Sequence, residues 1–264
     1  MVEKLFNGTI LYGEFKYTKE SFKNFAKHSH RGFNVVAIES GYIEIVYHNQ
    51  DSQILKPMQL ALFNPNHVHL TKNLTAAPIG YYSLMLEEQW CIELQKKIFP
   101  TNTFVTLSPN IIKNRNLYQK LTTIYSSLQN SDNAKREIEQ FATTLFKNYC
   151  QQAQTGCSDK RSNTLLQKIE NYIIENIEEA ISIDEIAETT GYSTAHLNRL
   201  FKEKYGLTLH AFLIDQRIHK AKELLSTNRQ ITLTEIAYKV GFYDQSHFIK
   251  NFKKAYSLSP KKYK

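Results

Sequence analysis

The sequence predicts an α+β chain of two domains, an N-terminal β-barrel or jelly roll with following helices and a C-terminal all-α tandem helix-turn-helix. Three observations carry this. Residues 5–88 alternate short β-branched and aromatic runs with polar turns, and beyond residue 88 the apolar spacing switches to three and four. In the last hundred residues one pattern occurs twice. Residues 182–206 read SIDEIAETTGYSTAHLNRLFKEKYG, and residues 232–257 read TLTEIAYKVGFYDQSHFIKNFKKAYS. Ile186-Ala187 and Ile236-Ala237 lie fifty residues apart, as do Gly191 and Gly241. A short helix, a glycine turn and a second helix, repeated, is an arrangement that lays a helix in a DNA groove.

Composition agrees with two cores and an acidic partner. Apolar residues make up 42% of 264, with 15 Phe and 16 Tyr, enough to bury a core in each half. The net charge is +8, shared evenly: residues 1–155 hold 16 basic and 12 acidic side chains, and residues 156–264 hold 17 and 13. Within 233–264, however, seven Lys face only Glu235 and Asp244, a local basic field suited to nucleic acid. Cys91, Cys150 and Cys157 have no zinc or disulfide spacing, which fits a reducing cytoplasm. The start has neither a long apolar run nor a cleavage site, so neither secretion nor a membrane span is expected.

In the N-terminal half, strands are expected at 33–38, 42–48, 53–56, 58–63 and 79–86. Such a barrel can enclose one small effector, and alternation nominates Val36, Ile38, Tyr42, Glu44, Tyr47, Leu62, Tyr82 and Leu84 for its lining. Helices follow at 89–97, 109–128 and 133–150. The stripe Ile138, Phe141, Leu145 and Phe146 on the last would suit a homodimer through 133–150. The domains read as 1–152, a polar linker 153–163 with Gly156, and 164–264.

In the C-terminal half, 164–177 is an amphipathic helix with Leu165, Ile169, Ile173 and Ile177 inward. Ser182 with Glu185, and Thr232 with Glu235, form capping boxes. Gly191 should end its helix in a left-handed conformation, with Tyr192 a buried turn residue. Ser193 and Asp244 cap the second helices, whose inward residues are Leu197, Leu200, Phe201, Phe248 and Phe252. Superposing the caps nominates Thr194, Ala195, Asn198 and Arg199, and equivalently Gln245, Ser246, Ile249 and Lys250, for base contact. Lys202, Lys253 and Lys254 are placed for phosphates. A continuous helix over 212–225 should hold the two units at a fixed separation, so that they enter successive major grooves about 34 Å apart.

Two resemblances extend this reading. Residues 183–264 resemble the DNA-binding domain of the AraC/XylS transcription regulators, through IAETTGYSTAHLNRLFKEKYG, RIHKAKELL and IAYKVGFYDQSHFIKNFKKAYSLSPKKY. The N-terminal half resembles the cupin-like effector domain of such regulators, through His28-Ser29-His30 before a strand and Gly41, and Asn64-Pro65-Asn66-His67-Val68-His69. The likeness implies a cytoplasmic regulator, most often an activator, that binds double-stranded promoter DNA, a small-molecule effector and RNA polymerase, with no cofactor and no catalytic residue. It nominates His28, His30, Asn34, Tyr42, Glu44 and His69 for the effector. In metal-binding cupins the corresponding histidines hold an ion, but Asn34 stands where those proteins carry Glu. A metal-dependent enzyme through His28, His30 and His69, and a regulator whose cupin only dimerises, are the alternatives.

Overall fold

The structure, a computed structural model, describes residues 5–10, 12–48, 51–127, 131–151, 160–179, 181–228, 230–256 and 259–263. Most of the linker expected at 153–163 lies outside them, as do Leu128, Ser257 and Leu258. The chain forms two compact units, one made of residues 1–24, 30–67 and 71–155, the other of 25–29, 68–70 and 156–264.

Among the described residues, ten strands make two sheets. The first has the order β1-β2-β9-β4-β7-β10, from Leu5–Ile10, Gly13–Ser21, Ile79–Leu86, Phe33–Ser40, Leu60–Phe63 and Ile111–Ile112. The second has the order β3-β8-β5-β6, from Phe25–His28, His69–Asn73, Ile43–Tyr47 and Gln53–Leu55. Successive side chains of β4 serve opposite faces. Phe33, Val35 and Ala37 join one apolar cluster with Leu62, Leu84 and Leu86, while Ile38 joins another with Ile43, Ile45 and Tyr47 of the second sheet. The latter is the space between the sheets, where a barrel holds a ligand.

The outer face of the large sheet is covered by α1 (Glu88–Lys96), α2 (Arg115–Ser127) and α3 (Ser131–Tyr149). Helix α2 begins later than the expected residue 109, because the short β10 occupies Ile111–Ile112. Leu117, Leu121 and Ile124 of α2, with Ile138, Phe141, Leu145 and Phe146 of α3, are buried against the sheet. The apolar stripe behind the expected dimer is therefore spent within its own unit. A dimer through 133–150 would use the exposed Arg136, Gln140 and Lys147 instead.

Two of the nominated pocket residues on β5 and its lead-in face the wrong way. Alternation separates Tyr42, Glu44 and Val46 from Ile43, Ile45 and Tyr47, and the second set turns inward because it removes more apolar surface from water. Tyr42 is 45% exposed, and Glu44 pairs with Lys72 at 3.4 Å. Leu62, Leu84 and the half-buried Tyr82 lie on the helix-covered face. Val36, Ile38 and Tyr47 do reach the space between the sheets.

The second unit contains seven helices among the described residues: α4 (Lys160–Glu175), α5 (Ile183–Thr190), α6 (Thr194–Tyr205), α7 (Leu209–Thr227), α8 (Leu233–Lys239), α9 (Gln245–Tyr256) and α10 (Pro260–Tyr263). Helix α7 belongs to both lobes. Leu209, Phe212 and Leu213 pack with α4, α5 and α6, and Ile218, Ala221 and Leu225 pack with α8 and α9. Between these two sets, the buried Arg217 donates from Nη2 to the carbonyls of Glu179 (3.3 Å) and Ile181 (3.4 Å). A Cβ on Gly241, in the second motif's turn, would come within 2.7 Å of that guanidinium. One residue of the connector thus touches the chain entering the first motif and the turn of the second.

Candidate nucleic-acid interface

The two motifs are built by the same local bonds. Ser182 and Thr232 each accept the N–H three residues on, at 3.0 and 3.2 Å. The capping box is complete only in the second copy, where the Glu235 carboxylate accepts the Thr232 N–H at 2.7 Å. Glu185 instead accepts the Tyr172 hydroxyl at 3.0 Å, drawing it towards α4. Gly191 and Gly241 have φ of +71° and +79°, as the turn requires. Ser193 and Asp244 cap α6 and α9 by accepting from His196 (3.3 Å) and His247 (2.7 Å).

Tyr192 corrects the sequence reading. It is 45% exposed, whereas Phe242 is 3% exposed. The first motif has one residue fewer between glycine and cap, so Tyr192 takes the place of Tyr243, itself 91% exposed, and not that of the buried Phe242.

The eight residues nominated for base contact fall into three equivalent sets. Thr194 and Gln245 are each tied to the first helix of their motif, Thr194 Oγ1 to Asp184 at 3.5 Å and Gln245 Oε1 accepting from Thr234 at 2.8 Å. Asn198 and Ile249 are half-buried: Asn198 Oδ1 accepts the Leu209 N–H at 3.0 Å, and Ile249 packs on the second core. Ala195 and Arg199, with Ser246 and Lys250, are exposed. Lys202 and Lys253 continue those rows one turn further, and Lys254 is exposed beside them.

The same superposition brings out a pair that the sequence reading passed over. His196 and His247 occupy the third position of their helices, and each packs on an aromatic ring of its own turn. Tyr192 stacks on His196 with centroids 5.0 Å apart and planes 14° from parallel, and Phe242 meets His247 edge-on at 5.2 Å. An Arg199 guanidinium nitrogen is 3.3 Å from His196 Nδ1. A guanidinium only donates, so that nitrogen must be the acceptor, and the pair aims Arg199 along the exposed face. Identical residues at one offset in two aligned copies were the available signal.

Asn198 supplies a test of this sorting. Asn198→Ala is expected to cost about 0.5–1.5 kcal/mol through the lost bond to the start of α7. It should leave the preference for operator over random DNA unchanged. Urea unfolding and fluorescence anisotropy measure the two effects separately.

The effector candidates are less unified. His28, His30 and His69 bring one ring nitrogen each within 4.8 Å of one another. His28 Nδ1 is 2.7 Å from the Ala26 carbonyl, which only accepts, so the ring hydrogen sits on Nδ1. Burial lowers its pKa and keeps it neutral. Three imidazoles are a donor set for a borderline divalent ion, although tetrahedral ligation at about 2.0–2.1 Å would draw the nitrogens closer than the 4.8 Å bound. Asn34 does not complete it, since Asn34 Oδ1 accepts from Ser83 Oγ at 2.9 Å on the large sheet.

The comparisons with known proteins decide the family. Residues 11–146, about half of the chain, match the AraC-like ligand binding domain, and residues 186–264 match the helix-turn-helix domain. The chain belongs to the AraC/XylS family. As in that family, a ligand-binding domain is joined to a helix-turn-helix DNA-binding domain, and the protein is a transcription regulator. An uncharacterised helix-turn-helix regulator of Bacillus subtilis, YbfI, is 25% identical over 87% of this chain and 83% of its own length. The regulator MtrA of Neisseria gonorrhoeae is 38% identical over 41% of this chain and 35% of its own. Among solved structures, ToxT from Vibrio cholerae O395 matches with a TM-score of 0.65 at 17% identity, over 94% of this chain and 96% of that one. That likeness establishes the fold. No helix among the described residues is long and apolar enough to cross a membrane.

Proposed function

We propose that this regulator is a cytoplasmic activator that reads promoter DNA with α6 and α9, under the control of a small effector held in its N-terminal unit. It is not an enzyme. The observation that supports the reading best is the pair of equivalent exposed rows, Ala195, Arg199 and Lys202 on α6 and Ser246, Lys250 and Lys253 on α9. Each row ends in lysine, suited to phosphate, and begins beside a residue whose donors suit a base edge. An effector would shift the equilibrium between DNA-binding states only by as much as it binds one state better. RNA polymerase is the further partner of an activator.

Footprinting on the DNA upstream of the regulator's own gene tests the proposal. Protection of two segments about one helical turn apart is expected, and a single short footprint would count against paired reading. A second reading, in which His28, His30 and His69 hold a divalent ion that supplies a Lewis acid, rests on their proximity. Elemental analysis of the purified protein and of His30→Ala separates the two, because stoichiometric metal lost in the variant is expected only from the second.

A further inference from the structure

We propose that Tyr17, Tyr118 and Glu39 form a site for a small organic monocation of the alkylated ammonium class, on the helix-covered face of the large sheet. That face is turned away from the space between the sheets, so the site does not depend on an effector held there. Strand pairing builds it. Ile38 of β4 is opposite Tyr81 of β9, and the next pair is Ser40 with Gly80. Glu39 is therefore the extra residue of a bulge, a device that re-aims a side chain. Gly80 admits the carboxylate, since a Cβ there would come within 2.7 Å of Glu39 Oε2. So placed, Glu39 accepts the Tyr17 hydroxyl at 2.9 Å and the Tyr82 hydroxyl at 3.3 Å. Tyr17 and Tyr82 are opposite each other on β2 and β9 and stack with centroids 4.5 Å apart.

Two features call for a cation. Glu39 bonds to two phenols and has no basic partner among the described residues. Burial, with the bond to Glu39 adding to it, pushes the Tyr17 hydroxyl up to about 12, so the phenol stays a donor and the charge stays on the carboxylate. Burial and then the Glu39 charge also raise the hydroxyl of Tyr118, in the first turn of α2, which puts that ring within electrostatic reach. The second feature is unused aromatic surface. Tyr82 is stacked by Tyr17 and met edge-on by Tyr125 at 5.0 Å. Tyr17 meets no further ring among the described residues, and Tyr118 meets none. Both are half-buried and Glu39 is exposed, so rings and carboxylate are open to solution.

Chemistry restricts the ligand. The charge felt at Tyr17, Tyr82 and Tyr118 alike is that of Glu39, and one carboxylate balances one positive charge. Two phenols already occupy its lone pairs, which leaves too few oxygens for the shell of a hard divalent metal. Aromatic faces favour a cation that is readily stripped of water. An alkylated ammonium meets these demands, because it needs no hydrogen bond and its methyl groups can lie against Tyr17 and Tyr118 while its charge faces Glu39.

The test is calorimetric titration of the full chain with choline and with its neutral isostere 3,3-dimethylbutan-1-ol, repeated on Glu39→Gln, Tyr118→Leu and Tyr118→Phe. Saturable one-to-one binding of choline, roughly tenfold or more tighter than the neutral alcohol, is expected in the wild type. Glu39→Gln keeps an oxygen for the two hydroxyls, so it should fold normally and weaken choline by roughly tenfold while leaving the alcohol unchanged. Tyr118→Leu should weaken choline by about fivefold or more, and Tyr118→Phe, which keeps the ring, should bind as the wild type does. Melting temperatures of the variants separate loss of the site from loss of the fold, and Glu39→Gln carries the test if Tyr118→Leu proves unstable. Absence of choline binding, equal binding of choline and the alcohol, or indifference of choline to Glu39→Gln overturns the proposal.

Discussion

Replacing Arg199 and Lys250 together by alanine should remove most of the regulator's preference for its operator over random DNA. Each side chain stands at the same exposed position of its recognition helix, and each base-edge contact of this kind discriminates by about 1–3 kcal/mol. Loss of both should narrow the ratio of specific to non-specific affinity by roughly 30-fold or more. The paired control, Lys202→Ala with Lys253→Ala, should weaken both DNAs alike and flatten the salt dependence by about two charges' worth. Fluorescence anisotropy across a salt series reads both. If the first double variant lost affinity equally on the two DNAs, neither residue would be reading bases.

Gly241→Ala is expected to be far more damaging than Gly191→Ala, although the two glycines are equivalent and both have positive φ. The left-handed conformation costs an alanine about 1–2 kcal/mol at either place. At Gly191 nothing lies within 4 Å of the added methyl, so strain is the whole effect. At Gly241 the methyl meets the Arg217 guanidinium at 2.7 Å and must displace it from the carbonyls of Glu179 and Ile181. Loss of those charged bonds brings the total to about 3–5 kcal/mol. Urea unfolding followed by far-ultraviolet circular dichroism measures the difference, and equal losses would mean that Arg217 does not brace the second turn.

The helical half was largely legible because its signals are local. Capping residues, glycine turns and the Phe201, Phe248 and Phe252 anchors each lie within a few residues of what they organise. Even there, Tyr192 shows how one missing residue changes which aromatic is buried, and Asn198 shows an outward amide captured by the next helix. The β half was legible as strands but not as faces. Alternation in 42–47 is symmetric until the partner sheet is known, so Tyr42 and Glu44 were as good as Ile43 and Ile45 from sequence alone. Strand β2 (Gly13–Ser21) has mixed polar and aromatic residues that hide its period, and its place between β1 and β9 is a long-range fact.

Helix α2 reaches the rung where Lys16 is opposite Ser83. The Tyr125 hydroxyl accepts the Lys16 N–H at 2.9 Å and is also bonded to the carbonyls of Lys16 (2.9 Å) and Ser83. A phenol therefore stands among the main-chain groups of two neighbouring strands. The Lys16 N–H is thus held by a helix side chain. Any motion that lifts α2 would loosen the sheet at that rung first.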